Sequence, residues 1–417
     1  MDTEKPQDSL RRFWADLIKV YENQQLRELR VGVVTSFTNN YNYGAILQAY
    51  ALTRFIGVFT RECKQINYSG TITASRATPI RNECAAPSPE RREAVQGIAA
   101  RKQAMNRFMR RIPQTHTVFS DININEAVKA FDAFVCGSDV IWGTQTRLNQ
   151  HPFYWLDFVP KGNKIKISYA PSLKTKDWTP YELRQIVQYT STFDALSVRE
   201  EDGKAFLEGL LRRTKRVTHA LDPTLLIPTQ TWRYIAKRAN VENDYIFVYL
   251  LGDSVAQRRR IREFAKLKGL PIVTLPHCVK YRRSDASFGD VKLYDIDPPQ
   301  WIWLIDHAEY IFTDSFHGAL FSSMFHKRFF ILNREMPEAW SSLGNRITSL
   351  TNMWGIGGVV LPDEGSAYDI DRIPPIDYRK VDEATRVKRI ESAEFLLSAL
   401  ESGCRRLGIG TVRGQSI

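Results

Sequence analysis

The sequence lacks most of the features that would tie it to a disulfide framework, a metal centre or a membrane span. Its 417 residues include only five cysteines, which are scattered and form no C-x-x-C pair. A disulfide scaffold or zinc site is therefore not expected, and a reducing compartment is the default. No run approaches eighteen apolar residues, so no membrane-spanning helix is predicted. No acidic or histidine cluster has metal-ligand spacing, so we predict no metal and no resident cofactor, with a loosely held divalent ion as the alternative.

Signatures of nucleotide and nucleic-acid binding are also missing. The G-x-G-x-x-G fingerprint is absent, so dinucleotide binding has no direct support. The chain has no zinc-finger spacing, RNA-binding signature or long Lys/Arg block, so nucleic acid is not expected as a partner. Charge, in contrast, is unbalanced: 58 Lys and Arg against 46 Asp and Glu give a formal net charge of +12. This excess favours anionic partners such as phosphorylated metabolites or an anionic membrane surface.

The N-terminal segment bears on location. The first ten residues are polar and contain no signal-peptide core, so we expect a cytoplasmic protein. Residues 9–28 have the apolar spacing of an amphipathic helix, accompanied by Arg11, Arg12 and Lys19. Two interpretations stay open for this helix: packing on its own domain, and peripheral attachment to the inner face of an anionic membrane.

Alternating strands and helices predict a first Rossmann-like domain. It opens with a strand at 30–35, a polar and aromatic loop at 39–44 and a helix from Ala45. Later strands in this domain end in small or charged turns, namely Gly137-Ser138-Asp139, Ala170-Pro171-Ser172 and Arg199-Glu200. Because parallel strands present their carboxyl ends at one edge of a sheet, we expect these turns to share one rim.

A second alternation of strands and helices begins at Tyr245 and predicts a second Rossmann-like domain. The fold class is therefore α/β. The predicted division of the chain is an N-terminal amphipathic helix at 1–29, a first domain at 30–219, a second domain at 220–378 and a C-terminal helix and tail at 379–417.

The strongest functional signal is the segment TDSFHG at 313–318. It follows an apolar strand and opens an apolar helix, so His317 is predicted at a strand-to-helix turn. Ligands of open α/β sheets bind at such turns, where the first N–H groups of the helix face an anion. Gly318 is expected to let a ligand approach the backbone, and Lys327 and Arg328 to add positive charge. A helix-capping or core role is the alternative for His317.

Several segments carry a family resemblance, and they occur in the family's order along the chain. They are NYNYGAILQAYAL (40–52), FDAFVCGSDVIWG (131–143), ISYAPSL (167–173), LSVREEDG (196–203), LDPTLLI (221–227), YIFVYLLGD (245–253), AEYIFTDSFHGALFSSMF (308–325) and NRITSL (345–350). Through them the chain resembles the polysaccharide pyruvyl transferase family over about residues 30–350. The resemblance implies a GT-B-like architecture, in which two Rossmann-like domains face a cleft. It also implies an enzyme that takes phosphoenolpyruvate as co-substrate and installs pyruvate as a cyclic ketal on a sugar.

The resemblance implies an essential histidine at His317 and an essential arginine at Arg199. One departure concerns the family's common Gly-Ser-Asp-Gln-Val/Ile-Trp-Asn, which here is Gly-Ser-Asp-Val-Ile-Trp-Gly at 137–143. The loss of the Gln and Asn amides leaves the identity of the acceptor open. The acceptor implied is a sugar or a lipid-linked oligosaccharide of polysaccharide or glycolipid synthesis.

Binding of phosphoenolpyruvate and protonation of its methylene carbon each require particular types of side chain. Phosphoenolpyruvate carries a phosphate and a carboxylate, so its site needs charge-assisted donors, which guanidinium groups and a helix N-terminus supply. The residues predicted to bind it are Ser315, Phe316, Gly318 and Arg346. A histidine suits protonation of the methylene carbon, because imidazole ordinarily titrates near neutral pH.

A base is needed for the acceptor hydroxyl. Asp139 is the predicted base, with Asp314 as runner-up, although an Asp in a Thr-Asp-Ser turn more often caps the following helix. Glu200 is expected either to orient the Arg199 guanidinium or to lie in solvent. The residues predicted to line the acceptor site are Tyr41, Asn42, Tyr43 and Trp142, for which core or loop packing is an equal alternative.

Two other functions stay open at this stage. A GT-B nucleotide-sugar glycosyltransferase would share the domains and the basic cleft but release a nucleoside diphosphate. A non-catalytic polysaccharide-assembly protein would tolerate substitution of Arg199 and His317.

Overall fold

The computed structural model describes residues 6–21, 24–38, 40–69, 88–143, 152–242, 244–277, 281–334 and 345–410. The helices of these segments are α1 Pro6–Phe13, α2 Ala15–Tyr21, α3 Gln24–Glu28, α4 Tyr43–Phe59, α5 Pro89–Met109, α6 Ile124–Ala130, α7 Pro180–Thr190, α8 Glu201–Leu210, α9 Thr229–Ile235, α10 Val255–Lys268, α11 Arg283–Ala286, α12 Pro298–Asp306, α13 Phe316–Met324, α14 Asn345–Trp354, α15 Ala367–Asp371 and α16 Tyr378–Leu407. The strands are β1 Arg30–Val34, β2 Glu62–Gln65, β3 Ala133–Cys136, β4 Ile165–Ser168, β5 Leu196–Val198, β6 Val217–His219, β7 Ile246–Tyr249, β8 Ile272–Thr274, β9 Val291–Lys292, β10 Tyr310–Thr313 and β11 Arg328–Ile331.

The first sheet is parallel and has the order β2-β1-β3-β4. A bridge between Ile167 and Ala195 continues it to β5, which pairs in parallel with β6. The turns after its strands are hydrogen-bonded to one another, since Ser172 N donates to Asp139 O at 2.8 Å and Arg199 N donates to Pro171 O at 3.2 Å. The prediction that these turns share one rim is therefore confirmed.

The second sheet is also parallel, with the order β11-β10-β7-β8-β9. Its strand order reverses between β7 and β10, so the crevice that usually receives ligands lies beyond the carboxyl ends of these two strands. The strand β10 is buried after its first residue, as expected for a parallel strand covered by helices on both faces. Two parallel sheets confirm the predicted α/β fold with two Rossmann-like domains.

The two domains share a buried interface. The Tyr43 ring of α4 stacks on Trp301 of α12 with centroids 5.5 Å apart, and its hydroxyl donates to Ile296 O at 2.8 Å. Arg101 of α5 is fully buried and donates to carbonyl oxygens of the second domain, those of Pro276, Leu293 and Tyr294. These contacts fix the relative position of the two rims.

The segment predicted as one helix at 9–28 consists of the short helices α1, α2 and α3. Leu10 and Trp14 are buried, and Trp14 Nε1 donates to Leu226 O at 3.0 Å. The apolar stripe thus packs on the protein, which favours that interpretation over membrane attachment. Among the described residues, no helix has the length and apolar character needed to cross a membrane.

Candidate active site

His317 lies in the first turn of α13, directly beyond β10. Ser315 caps this helix, because its hydroxyl accepts a hydrogen bond from Gly318 N at 3.3 Å. The imidazole is buried, and the first turn of α4 packs against it so closely that a Cβ on Gly44 would lie 2.0 Å from Nδ1. Since Gly44 covers the Nδ1 side, Nε2 is the nitrogen that faces the rest of the site.

Asp222 connects the two domains at this point. Its Oδ2 lies 2.7 Å from Arg199 Nη1 and 3.3 Å from His317 Nε2, the second contact being an ion-pair distance without hydrogen-bond geometry. Its Oδ1 accepts hydrogen bonds from the backbone N–H and the hydroxyl of Thr224. Burial would raise the pKa of the Asp222 carboxyl, but His317, Arg199 and Thr224 together hold it well below the usual range. The carboxylate is therefore ionised at neutral pH.

Arg199 is buried at the end of β5 between carboxylates and an aromatic ring. Its Nε donates to Glu200 Oε1 at 3.0 Å, and its guanidinium carbon lies 4.4 Å from the centre of the Phe316 ring. Burial would lower the pKa of Arg199, but Glu200, Asp222 and Asp139 raise it above the ordinary value. The guanidinium is therefore permanently charged.

Besides His317 Nε2, two buried polar atoms of this cluster have no hydrogen-bond partner, Arg199 Nη2 and Glu200 Oε2. Arg199 and Glu200 line a small cavity of about 20 Å³, which is space for about one water molecule. Burial raises the pKa of Glu200, although the positive charges of Arg199 and Arg346 oppose the shift. The side chains of Arg199 and Glu200 thus bring an unpaired donor and an unpaired acceptor to the wall of the same small cavity.

Arg346 of α14 lines the same cavity. Burial and the nearby charge of Arg199 lower its pKa to about 10, while Asp139 and Glu200 oppose the shift. The side chain therefore stays cationic at neutral pH. Asp139 acts electrostatically on both Arg199 and Arg346, so the structure brings together residues from both predicted rims.

A family model described as polysaccharide pyruvyl transferase matches residues 42–335. The chain belongs to the polysaccharide pyruvyl transferase family. By its family, the protein is therefore a pyruvyl transferase of polysaccharide biosynthesis. No curated protein sequence matches the chain.

Solved structures give an independent view of this pyruvyl transferase fold. UDP-GlcNAc 2-epimerase from Methanocaldococcus jannaschii is 12% identical, with a TM-score of 0.52 over 87% of this chain and 99% of that chain. UDP-N-acetylglucosamine 2-epimerase from Rickettsia bellii is 11% identical, with a TM-score of 0.51 over 90% of this chain and 98% of that chain. At such identities the likeness shows the fold alone, which is the two-domain GT-B-like architecture.

Asp314 of this pyruvyl transferase does not cap the helix that follows it. Its carboxylate accepts hydrogen bonds from Leu251 N at 2.7 Å and Gly252 N at 2.6 Å, at the crevice between β7 and β10. Arg334 Nε donates to the same carboxylate at 3.2 Å. Asp314 is thus held by three donors and the helix cap is Ser315 instead, while a role of Asp314 as base stays a prediction.

A Cβ on Gly318 would lie 2.4 Å from Thr313 Oγ1, so the glycine allows α13 to pack on the end of β10, and its contact with a ligand stays a prediction. The predictions that Lys327 and Arg328 add positive charge to this turn are wrong. Lys327 Nζ donates to Asp306 O at 3.0 Å, and Arg328 donates to Ile373 O. Lys327 precedes β11 and Arg328 is its first residue, so both cations lie at the amino edge of the sheet, because α13 ends at Met324 and the chain turns back.

The structure contradicts an acceptor-lining role for two of the predicted aromatic rings. Tyr43 is completely buried in the domain interface. Trp142 is also completely buried; its ring stacks on Trp155 with centroids 4.2 Å apart, and its Nε1 donates to Tyr154 O at 3.0 Å. Both rings are core, since each fills space between elements distant in sequence.

The other two predicted acceptor residues are partly exposed. Asn42 is the N-cap of α4, where its side-chain oxygen accepts hydrogen bonds from Gly44 N and Ala45 N. Tyr41 packs against the core and lies under Lys102, whose Nζ is 5.2 Å from the ring centre. Neither residue lines the buried cavity.

Sequence reasoning missed Asp222 and Arg334. Asp222 belongs to the LDPTLLI segment and follows β6, so the rule that strand ends carry the site would have singled it out. Arg334 follows the carboxyl end of β11, where the same rule applies. Among the residues that the structure describes, no group of His, Cys, Asp and Glu has the geometry of a metal site.

Proposed function

We propose that the protein transfers pyruvate from phosphoenolpyruvate to two hydroxyls of one sugar, as a cyclic ketal, in the synthesis of a polysaccharide or glycolipid precursor. The observation that carries the proposal is the buried arrangement of His317, Asp222 and Arg199. An anionic donor needs fixed cations, and a ketal transfer needs an acid in the same place. This arrangement supplies both within one contact network.

Phosphoenolpyruvate would be held by guanidinium groups. Arg199 has an unused donor at Nη2, Arg346 lines the same cavity, and Arg334 is close enough to Arg346 to lower its pKa. Planar guanidinium groups match a phosphate or a carboxylate bidentately. Glu200 and Asp222 neutralise much of the charge of Arg199, and Asp314 does the same for Arg334. The anion would therefore be held chiefly by hydrogen bonds from the guanidinium groups.

His317 would act as the acid through Nε2, the nitrogen not covered by Gly44. A proton passes to the methylene carbon of the enol, and a sugar hydroxyl attacks the adjacent carbon. The carbon–oxygen bond to phosphate then breaks, and the second hydroxyl closes the ring. Of the two hydroxyl protons, one replaces the proton on His317 and the other leaves with inorganic phosphate. General acid catalysis of this kind contributes about 10²–10⁴ in rate.

Two carboxylates are candidates for the base that takes the hydroxyl proton. Asp139 is half-buried on the rim of the first sheet, beside Arg199 and Arg346. Glu200 is buried in the cavity wall, and its Oε2 accepts no hydrogen bond. Separate Asp139→Asn and Glu200→Gln variants distinguish them, because only loss of the base should remove the acidic-limb inflection of the pH–rate profile.

The test is incubation with phosphoenolpyruvate and a panel of sugar acceptors, read as phosphate release and a gain of one ketal-linked pyruvate in the sugar's mass. The His317→Asn variant should lose this turnover. His326→Asn is a matched control, because His326 is an exposed histidine paired with Asp382 and its φ of 56° suits asparagine. Release of nucleoside diphosphate from sugar nucleotides, with none of phosphate from phosphoenolpyruvate, would favour a glycosyltransferase and overturn the proposal.

A further inference from the structure

An open cleft of about 730 Å³ adjoins the buried cavity. We propose that this cleft binds the sugar acceptor as a neutral polyhydroxylated ring. Its lining includes Asp202, His219, Thr348, Ser349, Asn352 and Met353, and we call it the 348–353 cleft. The inference rests on the proposed function, which it deepens by assigning a second substrate to a separate surface.

The 348–353 cleft and the buried cavity have a common wall. His219, Ser349 and Met353 line both spaces. Arg199 Nη2 and Glu200 Oε2, the atoms without hydrogen-bond partners, lie on the cavity side of that wall. A sugar in the cleft would therefore be separated from these atoms by one layer of side chains.

The wall is also a partly exposed part of the cavity boundary, where a rearrangement of side chains would displace the least buried surface. A space of about 20 Å³ holds about one water and neither substrate. Leu221, Leu225 and Leu320 form other parts of its boundary and are buried in the core of the protein. Ser349 and Met353 lie four residues apart on one face of α14 and are partly exposed.

The side of His317 that faces the first domain is closed. Gly44 packs directly on the imidazole ring, and Tyr43 is completely buried beside it. An acceptor hydroxyl therefore has no access to His317 along the first turn of α4. The 348–353 cleft, in contrast, is open to solvent at the exposed residues Thr348 and Asn352.

The chemistry of the cleft matches a sugar better than it matches phosphoenolpyruvate. Carboxylate, amide and hydroxyl groups can each pair with sugar hydroxyls, and Met353 offers an apolar contact for the C–H face of a ring. The carboxylates of Glu201 and Asp202 outnumber the cation of Lys388 in the lining. An anion is therefore favoured at Arg199 and Arg346 and disfavoured in the cleft, so charge separates the two substrates.

The experiment measures sugar binding and turnover in variants of Asn352, which lines the cleft but not the cavity. Asn352→Trp fills the cleft, and Asn352→Ala removes one amide from an exposed helical position where alanine is tolerated. Binding is followed by saturation-transfer NMR with a set of methyl hexopyranosides as probes. Asn125→Trp and Asn125→Ala, at an exposed position of α6, are matched controls.

We expect Asn352→Trp to abolish the sugar signal and Asn125→Trp to keep it. With an acceptor from the panel, Asn352→Ala should raise the KM for the sugar about tenfold, the effect of one lost hydrogen bond, and leave the KM for phosphoenolpyruvate unchanged. Sugar binding that survives Asn352→Trp, absence of sugar binding in the wild type, or a rise in the KM for phosphoenolpyruvate alone would overturn the inference. Failure of the proposed function looks different, because sugar binding would still depend on Asn352 while phosphoenolpyruvate released no phosphate.

Discussion

The substitution Gly44→Ala tests whether the two domains really meet at His317. Replacing a helical glycine by alanine usually stabilises a protein by about 0.5–1 kcal/mol. Here the new Cβ would lie 2.0 Å from Nδ1 and 2.2 Å from Cγ of His317. Real Cβ atoms do not approach other atoms so closely, so the imidazole ring, α13 or α4 has to move. We therefore expect Gly44→Ala to destabilise the protein.

The expected change in the free energy of unfolding is the sum of two opposing contributions. Overpacking a buried site costs about 1–3 kcal/mol, and the gain in helix propensity offsets less than about 1 kcal/mol of that. The net change is a loss of up to about 2 kcal/mol in the free energy of unfolding. A displacement of His317 by about 1 Å, away from Asp222, should reduce turnover by about 10²-fold.

The assay combines thermal unfolding with phosphate release from phosphoenolpyruvate. Gly209→Ala is the matched control, because Gly209 is an exposed residue of α8 and its added Cβ would meet no heavy atom within 4 Å. That control should be slightly more stable than the wild type and equally active. If Gly44→Ala behaves like Gly209→Ala in both measurements, the packing of α4 on His317 is wrong.

Two further predictions concern the buried charges. Arg199→Ala should lower the melting temperature as well as turnover, because Glu200 and Asp222 would stay buried without their cation, at a cost of about 3–5 kcal/mol; an unchanged melting temperature would contradict the buried ion pairs. Asp222→Asn should destabilise the protein most above the ordinary aspartate pKa of about 3.9, because a lowered pKa contributes stability that is complete above that value and is lost as the pH falls below it. The difference in melting temperature between wild type and variant should therefore stay constant from pH 7 to about pH 5 and begin to narrow only below about pH 4, and a difference that disappears between pH 7 and pH 5 would count against an ionised Asp222.

The parts of the site that depend on short stretches of sequence could be predicted. An apolar run followed by small or charged residues places Arg199, Asp139 and His317 at strand ends, and the parallel topology then brings them to facing rims. The family motifs also gave the GT-B-like fold. For Lys327 and Arg328 the same local reasoning failed, because it assumed that α13 continued beyond Met324.

Whether an aromatic residue is buried depends on contacts with residues distant in sequence, which local sequence patterns do not report. Whether Trp142 faces a cleft or the core depends on Trp155, which comes from a separate segment and stacks on it. Tyr43 is likewise buried because its ring stacks on Trp301 in the other domain. Aromatic residues next to a motif look alike in sequence whether they bind a ligand or fill the core, since both roles use the same apolar ring.

The buried interface between the two domains limits the motions by which substrates could reach the site. Separating the domains would expose Tyr43 and Trp301 and break the three hydrogen bonds that Arg101 donates to carbonyl groups of the second domain. Such an interface opposes a wide hinge motion, because large apolar surfaces and buried hydrogen bonds would be lost together. The partly exposed face of α14 that carries Ser349 and Met353 has no such burial to lose. Under the proposed function, substrate entry through that face would keep His317, Asp222 and Arg199 in contact while the acceptor changes, so the proposed acid and anion site would stay assembled throughout the reaction.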